Sequence, residues 1–178
     1  MNINPSFEII EQLCHNDNSI IYRGKDCSDD KSVIIKVLNK KHPSQLETAR
    51  FKREFELAKS LNFTSIIDVF RIEPYENTFA IVMEDIGGIS LTRWLDYGTL
   101  DTLNFVKVAI VISKALEAAH NGHIIHKDIC PANIIYNPQT EEIRLVDFGI
   151  ATEFSRENQS ACSANVLEGT LAYISPEQ

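Results

Sequence analysis

The sequence predicts an α+β protein: a five-stranded antiparallel sheet with one helix, followed by a mainly helical second part. Three observations lead there. Between residues 7 and 84, short apolar runs alternate with turn-rich polar clusters. One stretch of helical spacing interrupts them, and after Gly87-Gly88 long helical periodicity takes over. With 178 residues and 44% apolar side chains the chain can build a packed core, which excludes disordered, collagen-like and coiled-coil classes.

Residues 7–13, 19–23 and 32–38 read as strands, divided by the polar clusters 16–18 and 26–31, and form an antiparallel meander. Phe51, Phe55, Ala58 and Leu61 then fall on one helical face, with Lys52, Arg53, Glu56 and Lys59 largely on the others. Residues 66–73 and 78–84 are two further strands, joined by the turn-like Pro74-Tyr75-Glu76-Asn77, which completes the sheet. A boundary near residue 86 divides the chain into 1–86 and 87–178. Beyond it, residues 90–96 predict a short helix and residues 102–121 a long apolar one. Residues 124–126, 134–136 and 143–146 are short apolar runs around polar loops, so small strand pairs accompany the helices. From residue 151 onward no strong period appears, and no internal repeat or low-complexity segment is present.

The formal net charge of -8, with only 17 Lys plus Arg, argues against general nucleic-acid or membrane-surface binding, because phosphate backbones and anionic lipids repel a negative body. Cys14, Cys27, Cys130 and Cys162 are far apart and form no Cys-x-x-Cys pair, so neither zinc nor redox spacing is present, and a reduced cytoplasmic setting is expected. The start of the chain lacks the basic and apolar regions of a secretory signal. The longest purely apolar stretch, residues 108–112, is too short to span a bilayer, and a soluble chain is the expectation.

The chemistry-bearing residues sit in loops of the second part: His126-Lys127-Asp128, Asn133, and Asp147-Phe148-Gly149. Asp128 and Asn133 are five residues apart across Pro131, and Asp147 follows fourteen residues later, after an apolar strand. Two carboxylates and an amide converging in one cleft would accept a hydroxyl proton and coordinate magnesium through hard oxygen ligands. Taken singly, each reads as a turn or cap residue. Their order and spacing point further. His126-Lys127-Asp128-Ile129-Cys130-Pro131-Ala132-Asn133 followed by Asp147-Phe148-Gly149 resembles the catalytic loop and metal-binding motif of a Ser/Thr protein kinase. Val33-Ile34-Ile35-Lys36 is similar to the strand carrying that family's phosphate-binding lysine. Glu54 stands where its ion-pair partner does, and Ser175-Pro176-Glu177, after Gly169-Thr170-Leu171-Ala172-Tyr173, stands in place of Ala-Pro-Glu.

The resemblance covers nearly the entire chain and implies a protein-kinase-like fold, with the five-stranded N-lobe at 1–86 and a partial C-lobe at 87–178. It implies that Lys36 holds the α and β phosphates of ATP and that Glu54 holds Lys36. Asp128 would orient the acceptor hydroxyl and take its proton, Asn133 and Asp147 would bind Mg2+, and Thr170 would contact Asp128 and shape the acceptor pocket. His126 would support the loop. Met83 would stand at the back of the adenine slot, with the backbone of Glu84 and Ile86 facing adenine. Ile21 and Ile34 would cover one face of the ring and Ile135 the other, although as aliphatics these three are equally compatible with plain core. Ser155, Ser160 and Ser163 are the hydroxyls of the expected activation segment.

The pattern also departs from the family. Cys14, Asn16 and Ser19 occupy the three glycine positions of the nucleotide loop, and of these only Asn tolerates left-handed backbone well, so a weaker grip on phosphate is expected. Ile34 replaces a usual Ala and narrows the adenine slot. Lys127 replaces an Arg and cannot offer its bidentate fork to a phosphorylated loop, and Cys130 replaces a Lys that touches the transferred phosphate. The sequence stops just past Ser175-Pro176-Glu177, ahead of several C-lobe helices, so a fragment of a longer protein is expected. Its wording is similar to the N-terminal kinase domains of large bacterial sensor proteins that also carry a histidine kinase. Two functions follow from the resemblance: an ATP- and Mg2+-dependent Ser/Thr protein kinase acting on protein substrates, or a catalytically silent nucleotide-binding or interaction module of a larger signalling protein.

Overall fold

A computed structural model describes residues 6–153 and 169–174. The chain forms two compact units, one made of the chain up to Lys59 together with Asp68–Ile86, the other of Ser60–Ile67 together with the chain from Gly87 on.

The first unit is a five-stranded sheet in the order β1-β2-β3-β5-β4, with every neighbouring pair antiparallel. Its strands are β1 (Phe7–His15), β2 (Ser19–Asp26), β3 (Ser32–Leu38), β4 (Val69–Tyr75) and β5 (Thr78–Glu84). In β3 the two-residue period sends Val33, Ile35 and Val37 to one face. There they meet Ala80 and Val82 of β5 and Phe7 of β1 in a buried cluster flanked by Ile9, Tyr22 and Tyr75. Ile34 and Lys36 face the other way, in register with Met83 and Ile81 of β5, and Lys36 is also opposite Ile21 of β2.

β1 runs two residues beyond its expected end, because irregularities between Ile9 and Glu11 and between Gln12 and Cys14 break the alternation without ending the pairing. The helix α1 (Gln45–Ser60) begins before the apolar spacing does. Its start is set by a capping box: Glu47 N–H donates to Ser44 Oγ (3.2 Å), while the Ser44 N–H and hydroxyl both donate to Glu47 Oε2 (2.8 Å each). The strand expected from residue 66 starts at Val69, since Ile66 and Ile67 are buried elsewhere. Ile67 N–H donates to Leu145 O (3.0 Å) and Leu145 N–H to Ser65 O (2.9 Å), which ties this segment into the second unit. Pro74 and Tyr75 remain in β4, an edge strand that tolerates proline, and Glu76 turns the chain with φ of 50°.

A polar clasp joins the start of β1, the end of β2 and β4, although β1 and β4 are opposite edges of the sheet. Arg71 Nη1 donates to Asp26 Oδ2 (2.5 Å) and its Nε to Glu73 Oε2 (3.1 Å), while Ser6 Oγ donates to Glu73 Oε2 (2.5 Å). Hydrogen bonds from the Ser28 hydroxyl and N–H, opposed by burial and reinforced by Arg71, lower the pKa of Asp26 to about 2. A carboxylate depressed in the fold contributes stability that is complete above its unfolded pKa of about 4 and disappears as pH falls toward the folded value. Asp26→Asn is therefore expected to cost about 1–3 kcal/mol at neutral pH, by loss of charge-assisted hydrogen bonds. In urea melts recorded against pH, the gap between variant and parent should close between about pH 4 and pH 2; a gap that stays constant over that range overturns the assignment.

In the second unit the chain enters through Gly87, whose φ is 68°, and Gly88, where a Cβ would lie 2.8 Å from the Tyr136 carbonyl oxygen. β6 (Ile89–Ser90) then pairs with β8 (Ile134–Asn137), which pairs with β9 (Glu142–Leu145). The helix α2 (Leu91–Leu95) is capped by Ser90, and α3 (Thr102–Asn121) by Asp101, which accepts Asn104 N–H at 2.7 Å. Val108, Ile112, Ala115 and Ala119 form the buried stripe of α3. After Gly122 the chain makes β7 (Ile124–Ile125), which pairs antiparallel with β10 (Thr152–Glu153) in a stretch where no periodicity foretold a strand. Among the described residues no helix is long and apolar enough to cross a membrane.

Candidate active site

In the first unit the site begins with one buried charge pair. Lys36 lies mid-strand in β3, and a lysine held there needs an anion; α1 supplies Glu54 from its inward face. Lys36 Nζ donates to Glu54 Oε1 at 2.5 Å, and the two side chains are 9% and 10% exposed. Around the pair, Ile21 and Ile34 are half-buried and Met83 is buried, all on the face of the sheet that carries Lys36. The chain leaving β5 is anchored by its own side chains. Glu84 Oε1 accepts Asp68 N–H and Glu84 N–H donates to Asp68 O, both at 2.9 Å. Asp85 Oδ2 accepts from Arg23 Nε (2.8 Å) and the Ser32 hydroxyl (2.7 Å), while Arg23 Nη1 donates to Glu11 at 2.6 Å. Ile86 is half-buried.

In the second unit the loop after β7 builds a carboxylate receiver. Asp128 Oδ1 accepts the Thr170 N–H (2.9 Å) and hydroxyl (2.7 Å), and Asp128 Oδ2 accepts Asn133 Nδ2 (2.8 Å). Asn133 Nδ2 also donates to the Asp128 carbonyl at 3.0 Å, so the two residues are fixed as one turn, with Pro131 starting a single 3-10 turn between them. The Cys130 sulfur is buried 3.6 Å from Thr170 Oγ1. The Val146 N–H donates to Asn133 O (3.0 Å), which couples this loop to the one carrying Asp147. Asp147 Oδ1 accepts Gly149 N–H at 3.1 Å. Lys127 and Asp147 both take left-handed backbone, with φ of 67° and 66°, a conformation costly for residues other than glycine and concentrated at functional loops. Ile135 is half-buried on β8.

His126 is 1% exposed and holds these loops together. Its ring lies edge-on to Phe148 at 4.7 Å, and burial lowers its pKa, keeping the imidazole neutral. Since a carbonyl only accepts, Nε2 carries the proton and donates to Val146 O (3.1 Å), leaving Nδ1 to accept Asp128 N–H (3.3 Å).

Residues 7–178 match the family model of the protein kinase domain. The chain belongs to the protein kinase family. Similar proteins include the serine/threonine-protein kinase PrkC of Bacillus subtilis, 29% identical over 99% of this chain and 27% of that protein. The serine/threonine-protein kinase pkn3 of Myxococcus xanthus is 33% identical over 89% of the chain and 30% of its own length. The probable serine/threonine-protein kinase PknB of Lactococcus lactis is 29% identical over 97% and 27%. The chain thus spans about a quarter of the length of such bacterial relatives.

Within this kinase domain, five of the residues that family resemblance singles out are bonded to one another, Lys36 to Glu54, and Asp128 to Asn133 and Thr170. Sequence reasoning missed the anchoring of Asp85 by Arg23 and Ser32, which lie 62 and 53 residues away and carry no local pattern. Ser155, Ser160, Ser163 and the Ser175-Pro176-Glu177 motif lie outside the described residues.

Proposed function

We propose that the chain is the catalytic part of a bacterial Ser/Thr protein kinase, moving the γ-phosphoryl group of ATP to Ser or Thr hydroxyls of protein substrates. The observation that carries this reading is the Asp128 carboxylate, held by Thr170 on one oxygen and Asn133 on the other, in a turn braced by a neutral histidine. Such a carboxylate orients an incoming hydroxyl and accepts its proton as the oxygen attacks phosphorus. In this reading residues 1–86 are the nucleotide lobe and residues 87–178 the catalytic loop, metal loop and activation segment. Lys36, oriented by Glu54, neutralises the α and β phosphates. Met83, Ile21 and Ile34 contribute apolar surface to adenine, and partial burial supports this for the two isoleucines, whose exposed remainder distinguishes them from the fully covered Val33 and Ile35 on the opposite face of the same sheet. Ile135, half-buried on β8 of the second unit, is proposed to contribute likewise. The backbone of Glu84 and Ile86 faces the adenine edge.

The donor set fits magnesium. Among the described residues no group of three or more His, Cys, Asp and Glu could hold a metal on its own. Mg2+ does not need one, because it is bound through one or two protein oxygens completed by phosphates and water. Asn133 spends its Nδ2 on Asp128, so its Oδ1 would be the atom that holds the cation, and Asp147, whose Oδ1 accepts Gly149 N–H, would add a carboxylate oxygen. Bound there, the cation would neutralise charge on the phosphates. Cys14, Cys27 and Cys130 are free thiols, which supports a cytoplasmic location, and the greater length of the relatives supports further signalling domains in the same protein.

The test is transfer from radiolabelled ATP to a Ser- and Thr-rich protein, with parent and Asp147→Asn compared across magnesium concentrations. Phosphorylated Ser or Thr is expected from the parent. The variant should need roughly tenfold more magnesium, for loss of one charged ligand. A folded chain that binds ATP and transfers nothing would instead be the silent module.

A further inference from the structure

The turn between β1 and β2, residues 16–18, stands where kinases carry a glycine-rich loop over the nucleotide phosphates. Here the turn is bonded to itself. Asn16 Oδ1 accepts the N–H groups of Asn18 (3.0 Å) and Ser19 (2.7 Å) and the Ser19 hydroxyl (3.3 Å), while Asn16 N–H donates to Ser19 O (3.0 Å). Asn39, just past β3, fastens it from the side. Its Nδ2 donates to Asn16 O (2.7 Å) and to His15 Nε2 (2.9 Å), and its N–H to Asn18 O (2.9 Å). Of the four N–H groups from Asn16 to Ser19, only that of Asp17 makes no such bond, and the same residue sets a carboxylate at the tip. A backbone N–H engaged within the protein must give up that bond before it can donate to phosphate, and an anion at the tip repels one.

We propose that Asn16 is a positioning residue that closes the β1–β2 turn on itself, so that the turn withholds its backbone donors from the phosphates and Asn16 limits nucleotide affinity. The inference rests on the reading of the chain as an ATP-using kinase. It has a signature that general loss of structure does not produce: opening the turn strengthens binding, and only of the phosphate-bearing ligand. Asn16→Gly removes the internal acceptor and frees the Asn18 and Ser19 amides, whereas Asn16→Asp keeps an acceptor oxygen in place.

Calorimetric titration of the full chain with ATP and with adenosine, each in magnesium, reads the effect. Asn16→Gly should bind ATP roughly tenfold more tightly, as expected for one or two recovered donors partly offset by the added freedom of glycine, with adenosine affinity unchanged. Asn16→Asp should show no such gain. Amide exchange should show Asn18 and Ser19 protected in the parent and in Asn16→Asp, and fast in Asn16→Gly. An unchanged or weaker ATP-to-adenosine preference in Asn16→Gly, or no protection in the parent, overturns the proposal while leaving the kinase reading intact. If adenosine and ATP bind none of the three proteins, the kinase reading fails and takes the affinity role of Asn16 with it.

Discussion

Asp128→Asn is expected to lower the rate of phosphoryl transfer about 10²- to 10⁴-fold, the usual contribution of a positioned general base. The loss should fall on kcat far more than on the Michaelis constant for ATP, because Lys36 and the residues proposed to contact adenine are untouched and only the metal-side contact through Asn133 is disturbed. The hydrogen bonding predicts a second effect. Each carboxylate oxygen of Asp128 receives donors, two from Thr170 on Oδ1 and one from Asn133 on Oδ2. An amide offers one oxygen and one NH2 group, so whichever way it turns, a donor faces a donor. The variant should therefore also lose about 1–3 kcal/mol of stability. Transfer must accordingly be measured well below the variant's melting temperature, with folding checked by circular dichroism under assay conditions. Near-parental transfer by a folded Asp128→Asn protein would remove Asp128 from the chemistry and leave it as a brace between Thr170 and Asn133.

The elements most legible in the sequence were those whose local signals agree with one another. α3 fills the expected 102–121, and in the structure Asp101 caps its start, Gly122 follows its end and an apolar stripe runs between. β3 was equally clear, since Val33, Ile35 and Val37 face a core while Lys36 interrupts the opposite face. The grouping of Asp128, Asn133 and Thr170 came from a different source, the resemblance of ordered motifs, because nothing in periodicity relates Thr170 to Asp128 across 42 residues. What stayed hidden was decided by tertiary competition. Ile66 and Ile67 look like the start of a strand, and only the offer of Leu145 as a partner draws them into the other unit. Likewise, the absence of glycine from residues 14–19 was visible, but whether Asn16 would open or close the turn depended on where its side-chain oxygen points and on Asn39, which β3 delivers from twenty-three residues away.

The Lys36–Glu54 pair has two roles that a single substitution confuses, and a three-protein comparison separates them. Lys36→Met places a thioether against a carboxylate that is 10% exposed. Breaking a buried pair from one side typically costs about 3–5 kcal/mol, and uptake of a proton by Glu54 would bring the loss toward the lower end. Replacing both partners, as in Lys36→Met with Glu54→Leu, substitutes apolar side chains for both charges, and such exchanges are often neutral or stabilising. Urea melts should therefore show the double variant recovering most of the stability lost by Lys36→Met. ATP binding should recover nothing, because no cation remains for the phosphates, and both variants should bind ATP at least roughly tenfold more weakly than the parent. The two outcomes are independent. If the double variant is no more stable than Lys36→Met, packing rather than charge governs the site; if its ATP affinity returns with its stability, Lys36 serves only to hold α1 on the sheet. Recovery of stability without recovery of binding is the result expected of a lysine whose buried partner keeps it extended toward a substrate, since the desolvation cost of the pair is then borne for the sake of the nucleotide and not of the fold.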